Sequence, residues 1–253
     1  MESGADDLKT KNFIVRNLAL WLRRLDSRCH ACGRRIRGGE GALLCPECEQ
    51  ELAPRSGGFC PGCGELYLDK SRPPYLCGNC RISPMPWDGF FFHGPYHGPL
   101  GALIRDYKFR SRLGLGVLLG TFLTHAYTRL DPNPRPDLIV PVPLHKSRLA
   151  HRGYNQSLEP VRVLARAVSR PLAPGALIRN RHTTPQTRLK ANERERNLKG
   201  AFTANQKLVR GKTILLIDDI MTTGATLKES AKTLKRAGAV GLDVLVLART
   251  GPA

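Results

Sequence analysis

Acid is what this sequence most lacks. Among 253 residues, 21 Asp and Glu face 40 Lys and Arg, a formal charge of +19, with an isoelectric point near 10.1. A field of that sign attracts nucleic acid, phosphorylated metabolites and anionic lipid. Long apolar runs are missing too: no stretch reaches the roughly 18 residues that a membrane span needs. The nearest, "NFIVRNLALWLRRLD", is broken by Arg16, Arg23 and Arg24. Its charges lie on both sides of the apolar part and no small-residue cleavage site follows, so it is not patterned as a signal peptide. Phe13, Leu18, Trp21, Leu22 and Leu25 recur at roughly helical spacing, which predicts an amphipathic helix over residues 1–28. Also absent is a complete Gly-x-x-x-x-Gly-Lys-Ser/Thr loop, which excludes a standard P-loop nucleotide site. Cysteine does not occur after position 80.

All eight cysteines therefore crowd into positions 29–80, in four pairs of one spacing: "CHAC", "CPEC", "CPGC" and "CGNC". Two intervening residues let both thiolates of a tight knuckle reach one metal ion, and two knuckles complete the tetrahedral all-sulfur site that Zn2+ prefers. The simplest pairing joins Cys29 and Cys32 with Cys45 and Cys48, and Cys60 and Cys63 with Cys77 and Cys80. Crossed pairing satisfies the same spacing. Disulfides are the competing reading, but four repeats of one knuckle in a chain without a signal-peptide pattern favour zinc and a reducing compartment. With no spare ligand position, both sites are expected to be structural, and residues 29–83 are expected to need metal to fold.

The Pro-, Gly- and aromatic-rich stretch "SPMPWDGFFFHGPYHGP" predicts a boundary near Pro84. Beyond it, strand and helix patterns alternate. "GFFFHGPY", "DLIVPVPL", "KTILLIDDI" and "LDVLVLAR" are expected strands; "PLGALIRDYKF", "LGLGVLLGTFLTHAYTRL", "SLEPVRVLARAVS" and "ATLKESAKTLKRAG" are expected helices. Nearly continuous apolar strands separated by helices predict an α/β domain over 84–253, with a parallel sheet covered on both faces.

Ligands of such sheets sit at the carboxyl ends of strands, where Asp218 and Asp219 stand. Ile214 to Ile217 bury the strand; Thr222, Thr223, Gly224, Ala225 and Thr226 make the turn; Leu227, Ala231 and Leu234 begin a helical stripe. Such a turn gathers backbone N–H groups and hydroxyls at a helix N-terminus, a natural phosphate site. Two carboxylates beside a phosphate suit neighbouring hydroxyls, held directly or through a divalent cation. Sugar hydroxyls next to a phosphate describe a ribose 5-phosphate.

"ILLIDDIMTTGATL" closely resembles the phosphoribosyl pyrophosphate signature of type I phosphoribosyltransferases. With the four knuckles, "LIRDYKFRSR", "VPVPLHKSRLAHRGYNQS" and "RHTTPQTRLKANERERNLKGAF" in this order, the chain from Cys29 onward resembles the ComF family of competence proteins. The resemblance implies a double zinc ribbon on a type I phosphoribosyltransferase-like sheet, in a cytoplasmic protein of natural transformation or DNA uptake. It implies that Asp218 and Asp219 hold the ribose hydroxyls of phosphoribosyl pyrophosphate with Mg2+, that Thr222 to Thr226 hold its 5-phosphate, and that Pro143, Leu144, His145 and Lys146 stand at the pyrophosphate loop. That loop usually carries small residues or glycine. The prolines and His145 depart from that pattern and count against ordinary base salvage.

Sixteen Lys or Arg against Glu159, Glu193 and Glu195 lie between Lys146 and Lys212, so more than half of the excess charge occupies about a quarter of the chain. "RNRHTTPQTRLKANERERNLKG" takes the place of the catalytic hood in the transferase fold, where Arg188 and Lys190 are candidates to close over pyrophosphate as catalytic groups. Arg148, Arg152, Arg181, Arg194, Arg196 and Lys199 are candidates to track a single-stranded DNA backbone, with Tyr107, Phe109 and Tyr154 as stacking platforms. Three functions stay open at this point: single-stranded DNA binding with phosphoribosyl pyrophosphate as ligand, a true phosphoribosyltransferase, or a non-enzymatic zinc-ribbon adaptor for DNA-uptake or recombination proteins.

Overall fold

The computed structural model describes residues 27–36, 41–110, 112–129, 135–143, 158–181 and 196–251. The helix expected over 1–28 lies outside them up to position 26. The described residues form two compact units, one ending at Leu52 and one beginning at Ala53. The boundary expected near Pro84 falls inside the second.

In the first unit, β1 (Ser27–Arg28) pairs antiparallel with β2 (Arg35–Ile36). Between them Gly33 takes a left-handed φ of 75° and donates its N–H to the Cys29 carbonyl at 2.8 Å, closing the first knuckle. Helix α1 (Pro46–Glu51) starts with proline, whose missing N–H costs nothing there, and carries Glu47 and Glu49 in its first turn.

The second unit opens with the other two knuckles, the last of which leads into α2 (Gly78–Ile82). Strand β3 (Gly89–Pro95) follows, then α3 (Gly98–Phe109), α4 (Leu115–Thr128), β4 (Leu138–Pro141) and α5 (Leu158–Ala167). A short antiparallel ribbon of β5 (Leu177–Arg179) and β6 (Phe202–Ala204) flanks residues 182–195, which the structure does not describe. The chain ends through α6 (Gln206–Val209), β7 (Thr213–Met221), α7 (Ala225–Arg236) and β8 (Gly241–Arg249).

The main sheet is parallel, in the order β3-β8-β7-β4. Alternation along each strand divides its side chains between two cores. Ile214 and Leu216 of β7, Val244 and Val246 of β8, and Phe90 and Phe92 of β3 share one core with Leu227, Ala231 and Leu234 of α7. The other face is closed by the helices between β3 and α5: His93 stacks on Phe122 of α4 at 4.2 Å, and Phe91 meets Tyr127 edge-on at 5.5 Å. Helices therefore cover both faces, as the apolar strands require.

Candidate functional site

The carboxyl ends of β7, β4 and β8 converge on one rim. The Val142 N–H donates to the Ile217 carbonyl at 2.8 Å, so Pro143 leaves β4 at the level of the acidic pair. Asp218 Oδ1 accepts the Asp219 N–H at 2.9 Å, and Asp219 Oδ1 accepts the Ile220 N–H at 2.6 Å. Lys108, in the last turn of α3, places Nζ 2.5 Å from Asp219 Oδ2. Burial, and then the Asp219 charge beside it, push the Asp218 carboxyl up to about 7; the Asp219 N–H and the charges of Lys108 and Arg179 act against that rise. One carboxylate is thus neutralised by lysine, while the other is held near its titration point and suits a hydroxyl or a divalent cation.

Beyond Met221 the chain turns through Thr222, Thr223 and Gly224. Gly224 has φ 76°, and a Cβ there would lie 2.6 Å from Met221 Cε. It begins α7 without a side-chain cap. Thr223 Oγ1 is fully buried and has no hydrogen-bond partner among the described residues. A buried hydroxyl beside an uncapped helix start fits a ligand oxygen, and satisfying it recovers a cost of roughly 1–3 kcal/mol.

Arg249 ties the rim together. Its Nε donates to the Cys63 carbonyl at 3.0 Å; its Nη1 donates to Met221 O at 3.3 Å and to Thr250 O at 2.7 Å. One guanidinium thus joins a cysteine knuckle to the start of the Thr-Thr-Gly turn.

The cysteines gather as two clusters, Cys29 with Cys32, Cys45 and Cys48, and Cys60 with Cys63, Cys77 and Cys80, the ligand atoms of each lying within 4.8 Å of one another. Cys32 and Cys45 sulfurs stand 3.7 Å apart, and those of Cys63 and Cys77 3.8 Å. A zinc–sulfur bond of ~2.3 Å in a tetrahedron separates sulfurs by about 3.8 Å, so both clusters fit Zn2+ in the sequential pairing. They are zinc-ribbon-like and structural, with all four ligand positions supplied by protein.

Several expected residues fall outside the described ones: Leu144, His145, Lys146, Arg148, Arg152, Tyr154, Arg188, Lys190 and Arg194. Arg181 spends its Nη2 on the carbonyls of Asn197 and Lys199, both at 2.9 Å. Arg196 and Lys199 are exposed. Tyr107 is corrected as a stacking platform: it is 5% exposed, because it sits on the core side of α3 with Leu103 and Ile104. Phe109 is 70% exposed. Lys108 and Arg249 were given no role from sequence. The only signal for Lys108 was its place in "LIRDYKF"; Arg249, the last residue of a strand, carried none.

A parallel sheet with an acid pair and a Thr-Thr-Gly turn at its carboxyl rim, preceded by two zinc-ribbon-like clusters, defines a phosphoribosyltransferase-type protein. The phosphoribosyl transferase domain model matches residues 155–252, and the double zinc ribbon domain model matches residues 25–81. Competence protein F of Haemophilus influenzae is 32% identical over 228 residues, 88% of this chain and 96% of that protein. DNA utilization protein YhgH of Escherichia coli K12 is 36% identical over 196 residues, covering 76% and 84%. Competence protein ComFC of Bacillus subtilis is 27% identical over 205 residues, covering 77% and 79%. The chain belongs to the ComF family.

Proposed function

We propose that this protein binds phosphoribosyl pyrophosphate, with Mg2+, at the β7–α7 rim and single-stranded DNA on its basic surface, acting in the cytoplasm in DNA uptake or utilization. The observation that carries the ligand is the buried Thr223 hydroxyl, which has no partner among the described residues, beside left-handed Gly224 and four residues beyond the acid pair. The 5-phosphate lies on Thr222–Thr226 and the helix start; Asp218 and Asp219 face the ribose hydroxyls, with Lys108 holding Asp219 in place. Mg2+ supplies charge neutralisation for the pyrophosphate. The names of the relatives, competence and DNA utilization proteins, support the DNA reading.

Transfer chemistry at this rim is the second reading. In it, a nitrogen nucleophile bonds to ribose C1 as pyrophosphate leaves, with Arg188 and Lys190 stabilising the leaving group. Pro141 and Pro143 at the pyrophosphate side favour binding over base salvage.

Calorimetry with phosphoribosyl pyrophosphate and Mg2+ tests the proposal. Binding by the wild type, abolished in Asp218→Asn with Asp219→Asn, is the expected result. An unchanged affinity in the double variant would place the ligand elsewhere, and absence of binding to the folded wild type would overturn the ligand assignment.

A further inference from the structure

A cleft of about 1400 Å3 runs between the segment after the second cysteine cluster and helix α7. Its two walls differ in chemistry. One is mainly apolar, with Ile82, Pro84, Met85 and Pro86 beside the polar Asn79 and Ser83, and Ile82 is 87% exposed there. The other is cationic: Lys228, Lys232 and Arg236 recur every fourth residue on one face of α7, joined by Arg196 and Lys199. Of the acids in the lining, Glu65 and Glu229, the second is already engaged by the Gly200 N–H at 2.9 Å and Arg236 Nη2 at 3.6 Å. Thr222 and Thr223 line the cleft, whereas Asp218 and Asp219 do not. It shares Thr222, Thr223 and Ala225 with the phosphate turn of the rim site and runs on from there along α7.

We propose that this cleft is the track for single-stranded nucleic acid, with phosphates along the Lys228–Lys232–Arg236 ridge and bases against the Ile82–Pro86 wall. Every fourth residue of a helix advances about 6 Å along its axis, which spaces the cations for successive phosphates of an extended strand. The asymmetry decides the class of ligand. A duplex hides its base faces and offers an apolar wall nothing, and an acidic peptide satisfies only the cations. A single strand presents charge on one side and flat apolar bases on the other. Contacts of this kind are tolerant of sequence. The assignment rests on the DNA part of the function proposed above and gives it a location.

The test is fluorescence anisotropy of labelled oligothymidylate with the full zinc-loaded chain, titrated at several salt concentrations. Lys199→Ala with Lys232→Ala and Arg236→Ala removes exposed charges without touching a core, and its melting temperature should match the wild type. The expected result is at least a tenfold loss of affinity near 0.1 M salt, and a salt slope lower by about 2, since each lost phosphate contact to a single strand removes roughly 0.7. Ile82→Ala should weaken binding with the slope unchanged. If the wild type binds and the triple variant keeps its affinity and slope, the cleft is refuted while DNA binding stands. No binding by the wild type overturns both. Equal binding of duplex or polyglutamate overturns the single-strand assignment.

Discussion

At the scale of single residues, the acid pair shows what a sequence conveys and what it withholds. Two adjacent aspartates at the end of an apolar strand stand out in the sequence as a candidate site, because no structural need places two acids there. Their inequality was not visible, because it depends on Lys108, more than a hundred positions away, reaching Asp219 alone. The consequence is measurable. Asp218 titrates near 7 in the folded chain, well above the usual carboxylate range, with burial as the main cause. A raised carboxyl pKa means that the fold favours the protonated form, so stability is lost as pH rises through about 7 and the penalty vanishes at acid pH, where folded and unfolded forms are both protonated. Asp218→Asn should therefore raise the melting temperature by a few °C at pH 8 and leave it unchanged near pH 3, while it abolishes ligand binding. A difference from wild type that is the same at both pH values would show that burial does not hold the Asp218 carboxyl up. Gly224→Ala should act in the opposite sense, costing on the order of 1 kcal/mol for left-handed backbone and crowding Met221 as well.

At the scale of elements, the strands and long helices were legible because each buries a continuous or periodic apolar face. Ile214 to Ile217 are at most 2% exposed, and their pattern alone announces a buried strand. The β5–β6 ribbon was not legible: its strands are three residues each, and they pair across a polar, Arg-rich segment with no alternation to read. Nor was the junction that Arg249 makes between the end of β8, the carbonyl of Cys63 and the turn after β7. Removing that guanidinium takes the donor from the buried Cys63 carbonyl, at a cost of about 1–3 kcal/mol, while the Met221 carbonyl keeps the Thr250 N–H at 3.1 Å. Arg249→Met should lower both melting temperature and affinity for phosphoribosyl pyrophosphate, and Arg249→Lys should restore little, since an ammonium cannot present the planar fork that reaches two carbonyls. Full rescue by lysine would mean that charge, and not geometry, holds the turn.

At the scale of the whole molecule, four equal Cys-x-x-Cys spacings look interchangeable in sequence, and what separates them is where their neighbours bury. The first cluster belongs to the unit ending at Leu52, with Cys32 exposed. The second shares a continuous core with the sheet: Cys60, Cys63, Cys77 and Cys80 pack with Trp87, Phe90 and Phe92. Gly64, at φ 69°, lies so close to the Phe90 ring that a side chain would collide with it, and Trp87 Nε1 donates to the Gly62 carbonyl at 2.7 Å. Zinc at the second cluster is therefore expected to stabilise the sheet and its rim. Trp87 reports the difference, because Trp21 is the chain's other tryptophan and Trp21→Phe removes it. In that background, Cys60→Ser should shift Trp87 emission to the red and lower the main melting transition by roughly 10 °C or more, the scale expected when a structural zinc is lost from a core. Cys32→Ser should release one zinc equivalent yet leave Trp87 emission, the main transition and the affinity for phosphoribosyl pyrophosphate where they were. Equal effects from the two substitutions would mean that the clusters support one cooperative structure, and the first unit would then have to be counted as part of the sheet's stability.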